Sequence, residues 1–513
     1  MGDESSRTAP QFVQGMGLFS ATAIVMGSMI GSGIFIVSAD MSRVLGSPAL
    51  LLAAWLVTAV MTIIGALSYG ELAAMMPKAG GQYVYLREAL GPLWGFLYGW
   101  TLFLVIQTGT IAAVGVAFGK FLGVFFPSVS AQHWLWHIGH VPAWRVGPMV
   151  LGNMDLGLNT ANLAAIVVIV LLTVLNTLGV RMGSAVQNVF TSAKVLALLA
   201  VVVVGVVAKN LVAIAANFGA EWHNFWAGAG WHTVHAVQVG VGGPTAFVGL
   251  LTVVAVVQVG SLFSSDAWNN VTFTAGEIRN PKRNLPLSLA IGTGVVLLLY
   301  VLCNLVYLSV LPMGGDATAG TIAGRGIAFA AQDRVATAVM ESAFGGIGAK
   351  LMAAAILVST FGCVNGMLLA GARVYYAMSL DGLFFKSVGK LSERSKTPVN
   401  SLWVQCGWTS LLCLSGSYGQ LLDYVIFAVL IFYVMTIVGL FVLRRTRPDA
   451  VRPYRAIGYP VLPGLYIVMA SWICVVLLRY KPQYTWPGLI IVLLGVPVYL
   501  VWTRQMSSAP SVP

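Results

Sequence analysis

The stretch GSMIGSGIF, residues 27–35, places three glycines and two serines inside an otherwise apolar run. A glycine in a helix interior costs about 1 kcal/mol relative to alanine, so this run contains a weak point. Gly27 and Gly31 have the small-xxx-small spacing that is typical of closely packed membrane helices. Because Ser32 and Gly33 follow directly, we favour a break in the helix over close packing alone.

The composition of the chain sets the class of protein in which this stretch lies. Hydrophobic residues make up 58% of 513 residues, charged residues only 9%, and the mean hydropathy is +0.86. These values exclude a soluble globular protein and predict an all-α polytopic membrane protein. A helix needs about 20 apolar residues to cross the hydrocarbon layer, and we count about 12 such runs, each a predicted transmembrane helix. The runs lie near residues 18–44, 48–76, 92–126, 157–179, 183–208, 244–275, 285–311, 348–379, 400–416, 420–443, 457–479 and 487–503.

A second interrupted run contains VGSLFSSDAWNN, residues 259–270, with one aspartate, two asparagines and several serines. It is the sixth run, whereas GSMIGSGIF belongs to the first, so two halves of five helices would each begin with an interrupted helix. This arrangement predicts a 5+5 inverted repeat with helices 1 and 6 broken, although the halves share no residue-by-residue identity. The repeat would form a core over residues 18–443, followed by helices 11 and 12 over 457–503.

The two breaks offer complementary partners to a small ligand. A break in the first helix frees amide donors at the start of the next half-helix, whose positive dipole end favours a carboxylate. The break in the sixth helix leaves carbonyl oxygens that can accept from an ammonium group. A ligand with both groups on neighbouring atoms is an amino acid, so the sequence predicts an amino acid site near the membrane midplane.

The net charge of +12 indicates orientation in the lipid bilayer and not a nucleic acid partner, because the basic residues follow the loops. With the N-terminus inside, roughly seven Lys and Arg fall outside, so the positive-inside rule favours cytoplasmic tails over 1–17 and 504–513. The segments 279–284 and 444–455 would then be cytoplasmic, and 209–243 would lie outside. The opening lacks the basic flank and cleavage site of a signal peptide, so we expect the first helix to remain in the mature chain. The basic residues assigned to the inside are Arg7, Lys78, Arg87, Arg181, Arg279, Lys282, Arg283, Lys386, Lys390, Arg394, Lys396, Arg444, Arg445, Arg447, Arg452, Arg455 and Arg504.

Cysteine and histidine give no sign of a metal or a cofactor. The five cysteines lie within predicted spans and make no paired spacing, so neither a disulfide framework nor a zinc site is predicted. All six histidines fall in two predicted outside loops. His133, His137 and His140 have a helical spacing that could hold a metal, but the neighbouring tryptophans favour an interfacial amphipathic segment.

Five ordered motifs carry a family resemblance over most of the chain. The motifs are GSMIGSGIF, VQNVFTSAKVLALL (186–199), SLFSSDAWNNVTFTAGEIRNPKRNLPLSLAIG (261–292), FGCVNGMLLAGARVYYAMSLDG (361–382) and TPVNSLWVQC (397–406). In this order they resemble the signatures of the L-type amino acid transporter family, within the amino acid–polyamine–organocation superfamily. The resemblance implies the twelve-helix LeuT-type fold, with its 5+5 inverted repeat.

The resemblance implies specific substrate contacts at both breaks. Phe263 would be an aromatic gate over the substrate, and the backbone at Phe263 and Asp266 would receive the amino group. Trp268 and Asn269 complete this stretch, and a packed core aromatic is the alternative interpretation of Trp268. The backbone that would hold the carboxylate is that of Met29, Ile30, Gly31, Ser32 and Gly33, and the substrate-binding set of the sixth helix is Phe263, Ser264, Asp266, Trp268 and Asn269.

Lys194 lies near the centre of the fifth run, where an unsatisfied lysine costs about 2.5–3.5 kcal/mol on insertion scales. Its central position makes snorkelling to the interface difficult. The resemblance places its ammonium group where sodium-driven relatives hold a sodium ion, between the first and eighth helices. We therefore expect sodium-independent transport.

Asp266 is an acidic residue near the centre of a span, and such a residue is a candidate functional site. A negative charge beyond the two breaks could attract a second positive group, so we expect cationic as well as neutral amino acids as substrates. A structural pair with Lys194 is one alternative. Proton-coupled uptake, with Lys194 or Asp266 carrying the proton, is another.

The predicted function is an amino acid carrier working by alternating access, most simply as an exchanger, with a proton-coupled symporter as the alternative. Neither a repeated pore loop nor a catalytic cluster indicates a channel or an enzyme. Animal members of the family carry a cysteine between the third and fourth helices that bonds a glycoprotein, but residues 127–156 contain none. We therefore expect no disulfide-linked heavy subunit and a carrier in the inner membrane of a prokaryote.

Overall fold

Helices make up most of the computed structural model, which describes residues 12–142, 144–146, 149–151, 154–219, 222–226, 247–414 and 418–507. Ten helical stretches within these residues are long and apolar enough to cross a membrane. The sixth and ninth predicted runs are also helical but shorter. The all-α polytopic prediction is therefore confirmed. The unbroken backbone hydrogen bonding of helices is what the hydrocarbon layer requires.

The spans follow the predicted runs to within a few residues at most ends. The first span is α1 plus α2, the third is α5 plus α6 and the sixth is α11 plus α12. The others are α3, α7, α8, α13, α15, α16, α17, α18 and α19. The bounds are α1 Leu18–Met29, α2 Gly33–Leu45, α3 Pro48–Met75, α4 Gln82–Leu90, α5 Pro92–Thr101, α6 Gln107–Leu122, α7 Thr160–Thr177, α8 Val180–Val207, α9 Leu211–Asn217, α10 His223–Trp226, α11 Phe247–Ser264, α12 Asn270–Phe273, α13 Pro281–Val310, α14 Ile322–Arg325, α15 Val335–Leu380, α16 Val399–Cys413, α17 Tyr418–Thr446, α18 Val461–Tyr480 and α19 Pro482–Ser507.

The first helix is broken at the predicted place. Helix α1 ends at Met29, Ile30 leaves the helical conformation at φ −76° and ψ 86°, and α2 begins at Gly33. A Cβ on Gly33 would lie 2.9 Å from Ser264 Cα, so only glycine allows the two broken helices to meet this closely. Gly27, by contrast, is a packing glycine, because a Cβ there would overlap side chains of α8.

The sixth helix is broken as well. Helix α11 ends at Ser264 and α12 begins at Asn270. Between them Ala267 has φ +63°, in the left-handed region that is unfavourable for an L-residue with a side chain. A backbone held in this conformation is typical of functional sites, where the surrounding packing maintains the strain.

The packing of the two halves follows the repeat. Helix α1 packs on α13 as α11 packs on α3, and α8 packs on α15 as α17 packs on α6. Each pair is related to the other by a shift of five spans. These matched contacts, together with the two breaks, agree with the predicted inverted repeat.

Two spans differ locally from the prediction. Helix α15 starts at Val335 rather than near 348, but Gly345 has φ +61° and ψ −151° and interrupts it. The part before Gly345 is a short helix that includes Glu341, which is why hydropathy did not predict it. The third span contains a π-helical turn, Leu102–Ile106, and Trp408 Nε1 donates to the carbonyl oxygen of Leu104 at 3.0 Å.

A small antiparallel element joins the third and fourth spans. Strand β1, Trp134–Val141, pairs with β4, Met154–Asn159, and β2, Trp144–Val146, pairs with β3, Met149–Leu151. The exposed tryptophans of β1 and β2 suit an interfacial position.

The helical spacing expected for the histidines of this segment is wrong, because His137 and His140 lie in a strand. A register shift after His137 turns both rings to one carboxylate, with Asp155 Oδ1 at 3.5 Å from His137 Nε2 and 3.0 Å from His140 Nδ1. The contact with His140 lowers the pKa of Asp155 below its usual range. Among the described residues, no group of three or more His, Cys, Asp and Glu is placed to hold a metal.

Several predicted segments lie outside the described residues. They are 1–11 and 508–513 of the two tails and most of the outside loop 209–243, including His232 and His235. The described ends of the chain lie at the same end of the bundle. Phe12 packs on Tyr376 near the end of α15, and Trp502 Nε1 donates to the carbonyl oxygen of Gly382 just beyond that helix.

Candidate functional site

Lys194 of α8 caps the broken end of the first helix. Its Nζ donates to the carbonyl oxygens of Gly27 at 2.7 Å and Ile30 at 2.8 Å, and the side chain is completely buried. These carbonyls are among the last of α1, where the helix dipole is negative and favours a cation. A Cβ on Gly362 of α15 would lie 3.4 Å from Nζ, so the ammonium group lies between the first and eighth spans.

Helix α15 satisfies further carbonyls of the same break. Ser359 Oγ donates to Ile30 O at 3.1 Å and to Gly31 O at 3.2 Å, and Cys363 Sγ donates to Ser28 O at 3.1 Å. Ser359 and Cys363 are one helical turn apart and face the break together. The C-terminal end of α1 is therefore occupied by side chains of the protein.

The start of α2 has the positive end of a helix dipole, opposite in sign to the end of α1. The first amide groups of a helix carry the positive end of the dipole and mostly lack acceptors within their own helix. In α2, which begins at Gly33, the N–H of Phe35 donates to Ser32 O at 3.2 Å. No acidic residue lies in the first turn of α2. A buried helix start of this kind favours an anion such as a carboxylate.

Tyr300 of α13 joins the two breaks. Its hydroxyl lies 3.0 Å from Met29 O in the first break and 3.0 Å from Ser264 O in the second. The ring is completely buried and packs edge-on against Trp55, with centroids 5.6 Å apart. One hydroxyl thus contacts both broken helices.

The carboxylate of Asp266 lies in the second break and is buried. Its Oδ1 accepts from Tyr433 Oη on α17 at 2.6 Å. The alternative pair with Lys194 is absent, because Lys194 binds the carbonyls of the first break instead. The backbone N–H of Asp266 donates to Phe263 O at 3.2 Å, within the second break.

Trp268 and Asn269 have clear structural contacts. Trp268 is packed in an aromatic cluster, with its centroid 4.8 Å from Tyr69 and 5.1 Å from Tyr433. Asn269 Nδ2 donates to Gln82 Oε1 of α4 at 2.8 Å. The packing interpretation that was left open for Trp268 therefore fits its surroundings.

Two cavities flank Asp266, and Tyr433 lines both of them. The polar lining of the first includes Gln82, Tyr98, Gln107, Thr110, Asp266, Asn269 and Asn270. The lining of the second includes Thr62, Ser265, Asp266, Trp268 and Tyr466. A carboxylate between two partly polar cavities can attract a positive group.

The structure therefore places the predicted residues in two groups. The first group lies at the first break and consists of Met29 to Gly33, Lys194 and Ser264. The second group lines the cavities beyond the second break and consists of Asp266, Trp268 and Asn269. Sequence reasoning missed Tyr300, Tyr433 and Ser359. A small polar pair at helical spacing, Ser359 and Cys363, was a usable signal for α15, but nothing local to Tyr300 or Tyr433 distinguishes them from other membrane tyrosines.

The family model described as amino acid permease matches residues 16–501. The chain is 28% identical over 460 residues to the b(0,+)-type amino acid transporter 1 of Mus musculus, covering 89% of the chain and 80% of that relative. The Homo sapiens protein of that name is 27% identical over 504 residues, covering 96% and 90%. The large neutral amino acids transporter small subunit 2 of Rattus norvegicus is 29% identical over 492 residues, covering 95% and 80%.

Proposed function

This chain belongs to the amino acid permease family, a family of transporters and not of enzymes, and we propose that it is a sodium-independent amino acid exchanger. The observation that carries the proposal is the contrast at the first break. Lys194 and α15 occupy the carbonyl end of α1, whereas the first turn of α2, at the amide end, contains no acidic residue. The names of the similar proteins, which are amino acid transporters, support the same substrate class.

The proposed substrate pose follows from the two helix ends at the breaks, the start of α2 and the end of α11. The carboxylate binds amides at the start of α2, such as that of Gly33, and the ammonium binds carbonyls at the end of α11, such as that of Phe263. Phe263 is buried in the last turn of α11, where its ring can close over the substrate. The substrate thereby links the two broken helices. Movement of these helices exposes the site alternately to the two sides of the membrane.

Lys194 supports sodium independence in this scheme. A fixed ammonium group bound to Gly27 O and Ile30 O supplies the positive charge that a bound cation would otherwise bring to these carbonyls. The charge remains with the protein, so substrate binding requires no cation from solution. Exchange against an internal amino acid can then drive transport without a sodium gradient.

Asp266 supports a substrate range that includes arginine, lysine or ornithine. The α-carboxylate and α-ammonium are already served by the breaks, so the Asp266 charge is available to a third charged group. At about 4 Å and an effective dielectric constant near 20, such a pair is worth up to about 4 kcal/mol before desolvation. We expect Asp266→Asn to weaken competition by arginine at least tenfold, about 1.4 kcal/mol, and competition by leucine much less.

The test is uptake of a labelled amino acid panel into proteoliposomes, with and without internal amino acid, sodium and a pH gradient. Exchange predicts uptake that needs internal amino acid and ignores sodium. Uptake driven by the pH gradient alone would favour the proton symporter instead, with Asp266→Asn removing only the pH dependence of neutral uptake. If arginine does not compete in the unmodified protein, the cationic range is wrong.

We further propose a carrier of the inner membrane of a prokaryote, with both termini in the cytoplasm and no disulfide-linked partner. Residues 127–156 lack the cysteine that such a bond needs, and the basic loops favour this orientation. Single cysteines placed in 279–284 or 444–455 should react with an impermeant reagent only from the cytoplasmic side, and those in 209–243 only from outside. Labelling from the opposite sides would reverse the orientation.

A further inference from the structure

Two loops that are distant in sequence meet at the end of the bundle where both described chain ends lie. The turn between α7 and α8 contacts the loop between α15 and α16, because Thr397 Oγ1 donates to Thr177 O at 3.4 Å. A Cβ on Gly179 would lie 3.8 Å from Ser395 O. The basic residues carried by these two loops are here named the basic platform and are Arg181, Lys386, Lys390, Arg394 and Lys396.

The basic platform is not neutralised by the protein. None of its five cations forms an ion pair within the described residues. The loop between α15 and α16 carries two acids, Asp381, which pairs with Arg87, and Glu393. Elsewhere at this end of the bundle, carboxylates form ion pairs with other arginines. The pairs are Glu71 with Arg444 and Arg452, Glu88 with Arg87 and Arg447, Asp381 with Arg87, and Glu277 with Arg373.

Exposed apolar side chains lie beside these cations. Leu178 and Met182 flank the turn between α7 and α8, and Leu380 and Phe385 flank the start of the other loop, each about half exposed or more. Phe385 also packs against Trp502 near the end of α19, with centroids 5.5 Å apart. Apolar side chains at the ends of membrane helices belong at the level of the lipid headgroups, so the cations next to them reach the same level.

We propose that the basic platform binds the headgroups of anionic phospholipids in the adjacent leaflet. Five uncompensated cations supply the charge complementarity, and the interleaved apolar side chains provide contact with the acyl chains below. A soluble acidic protein or a nucleic acid would match the charge but not the apolar side chains. Basic clusters next to membrane helices gain about fivefold in affinity for an anionic surface per cation.

The test is titration of the purified full chain with phosphatidylglycerol in mixed micelles, with bound lipid counted by native mass spectrometry. The platform variant combines Lys386→Gln, Lys390→Gln, Arg394→Gln and Lys396→Gln. The matched control removes the same charge from exposed, unpaired cations at the same end of the described structure. It combines Lys282→Gln, Arg283→Gln, Arg445→Gln and Arg455→Gln.

We expect the platform variant to lose phosphatidylglycerol affinity by about 100-fold or more, and the control variant by less than about tenfold. Affinity for phosphatidylcholine should change in neither, and added salt should weaken only the binding of the anionic lipid. Equal losses in the two variants, or an unchanged platform variant, would overturn the proposal. Tight binding of phosphatidylcholine at the platform would also overturn it. If the combined variant cannot be purified, single substitutions at the four positions give the same comparison. Exchange of Lys for Arg at these positions keeps the charge and should retain lipid binding.

Discussion

Replacing Tyr300 with phenylalanine removes one hydroxyl and, with it, the contact shared by the two helix breaks. The hydroxyl carries a single hydrogen but lies 3.0 Å from both Met29 O and Ser264 O. The aromatic ring and its packing on Trp55 are retained in the variant. The change therefore tests the link between the broken helices with little disturbance of the core.

The magnitude follows from the acceptors. Met29 O also accepts from the backbone N–H of Gly31 at 2.8 Å, so it keeps a partner when the hydroxyl is lost. Ser264 O, at the end of α11, loses the tyrosine donor in a site without ready access to water. A buried carbonyl without a partner costs about 1–3 kcal/mol, so the conformation in which both breaks are joined should lose that amount. This corresponds to about a 5- to 150-fold shift in its population.

The assay compares exchange in proteoliposomes with substrate affinity and thermal unfolding of the purified protein. We expect the exchange rate of Tyr300→Phe to fall about tenfold, with membrane insertion intact. The matched control is Tyr307→Phe, because the Tyr307 hydroxyl lies two turns further along α13 and donates only to Ile34 O of α2, at 3.3 Å. That variant should lose a similar hydrogen bond but less than about threefold in rate.

Equal rate losses in the two variants would show that Tyr300 contributes only to stability. An unchanged rate in Tyr300→Phe, at normal expression, would refute the reasoning that the hydroxyl couples the two breaks. A fall in thermal midpoint of the same size in both variants, with a rate defect only in Tyr300→Phe, is the result that supports it.

Further predictions concern the two breaks and the ion pairs at the end of the bundle. Lys194→Ala removes two charge-assisted hydrogen bonds of about 1.5–3 kcal/mol each, so transport should fall more than about 100-fold without loss of insertion, and normal transport would refute the role as a fixed cation. Glu71→Gln leaves Arg444 and Arg452 without their buried carboxylate and should cost about 3 kcal/mol, seen as a lower thermal midpoint, whereas a neutral result would mean that the arginines find other partners. Phe263→Ala should impair translocation more than substrate binding, and equal losses in both would indicate a packing role.

Much of this protein is determined by its sequence alone. Apolar runs of membrane length leave the backbone no partner except itself, so they must be helices, and their number determines the class of fold. The small polar residues of GSMIGSGIF and VGSLFSSDAWNN mark where two of these helices break, because a break at membrane depth is tolerated only where it lines a site. Lys194 was recognisable for the same reason, as a charge that hydrocarbon does not accept without partners.

Only the tertiary structure decided which partners these residues have. Tyr300 and Ser264 are distant from Met29 in sequence, and no local period brings them together. Asp266 could have paired with Lys194 by charge alone, but packing places Tyr433 beside it and gives Lys194 the carbonyls of α1. The spacing of His137 and His140 is equally consistent with a helix face and with a bulged strand, since a single register shift changes the face of a side chain. Apolar periodicity determines which elements form and which face is buried, whereas contacts between helices depend on side-chain shapes at crossings that are far apart in the chain.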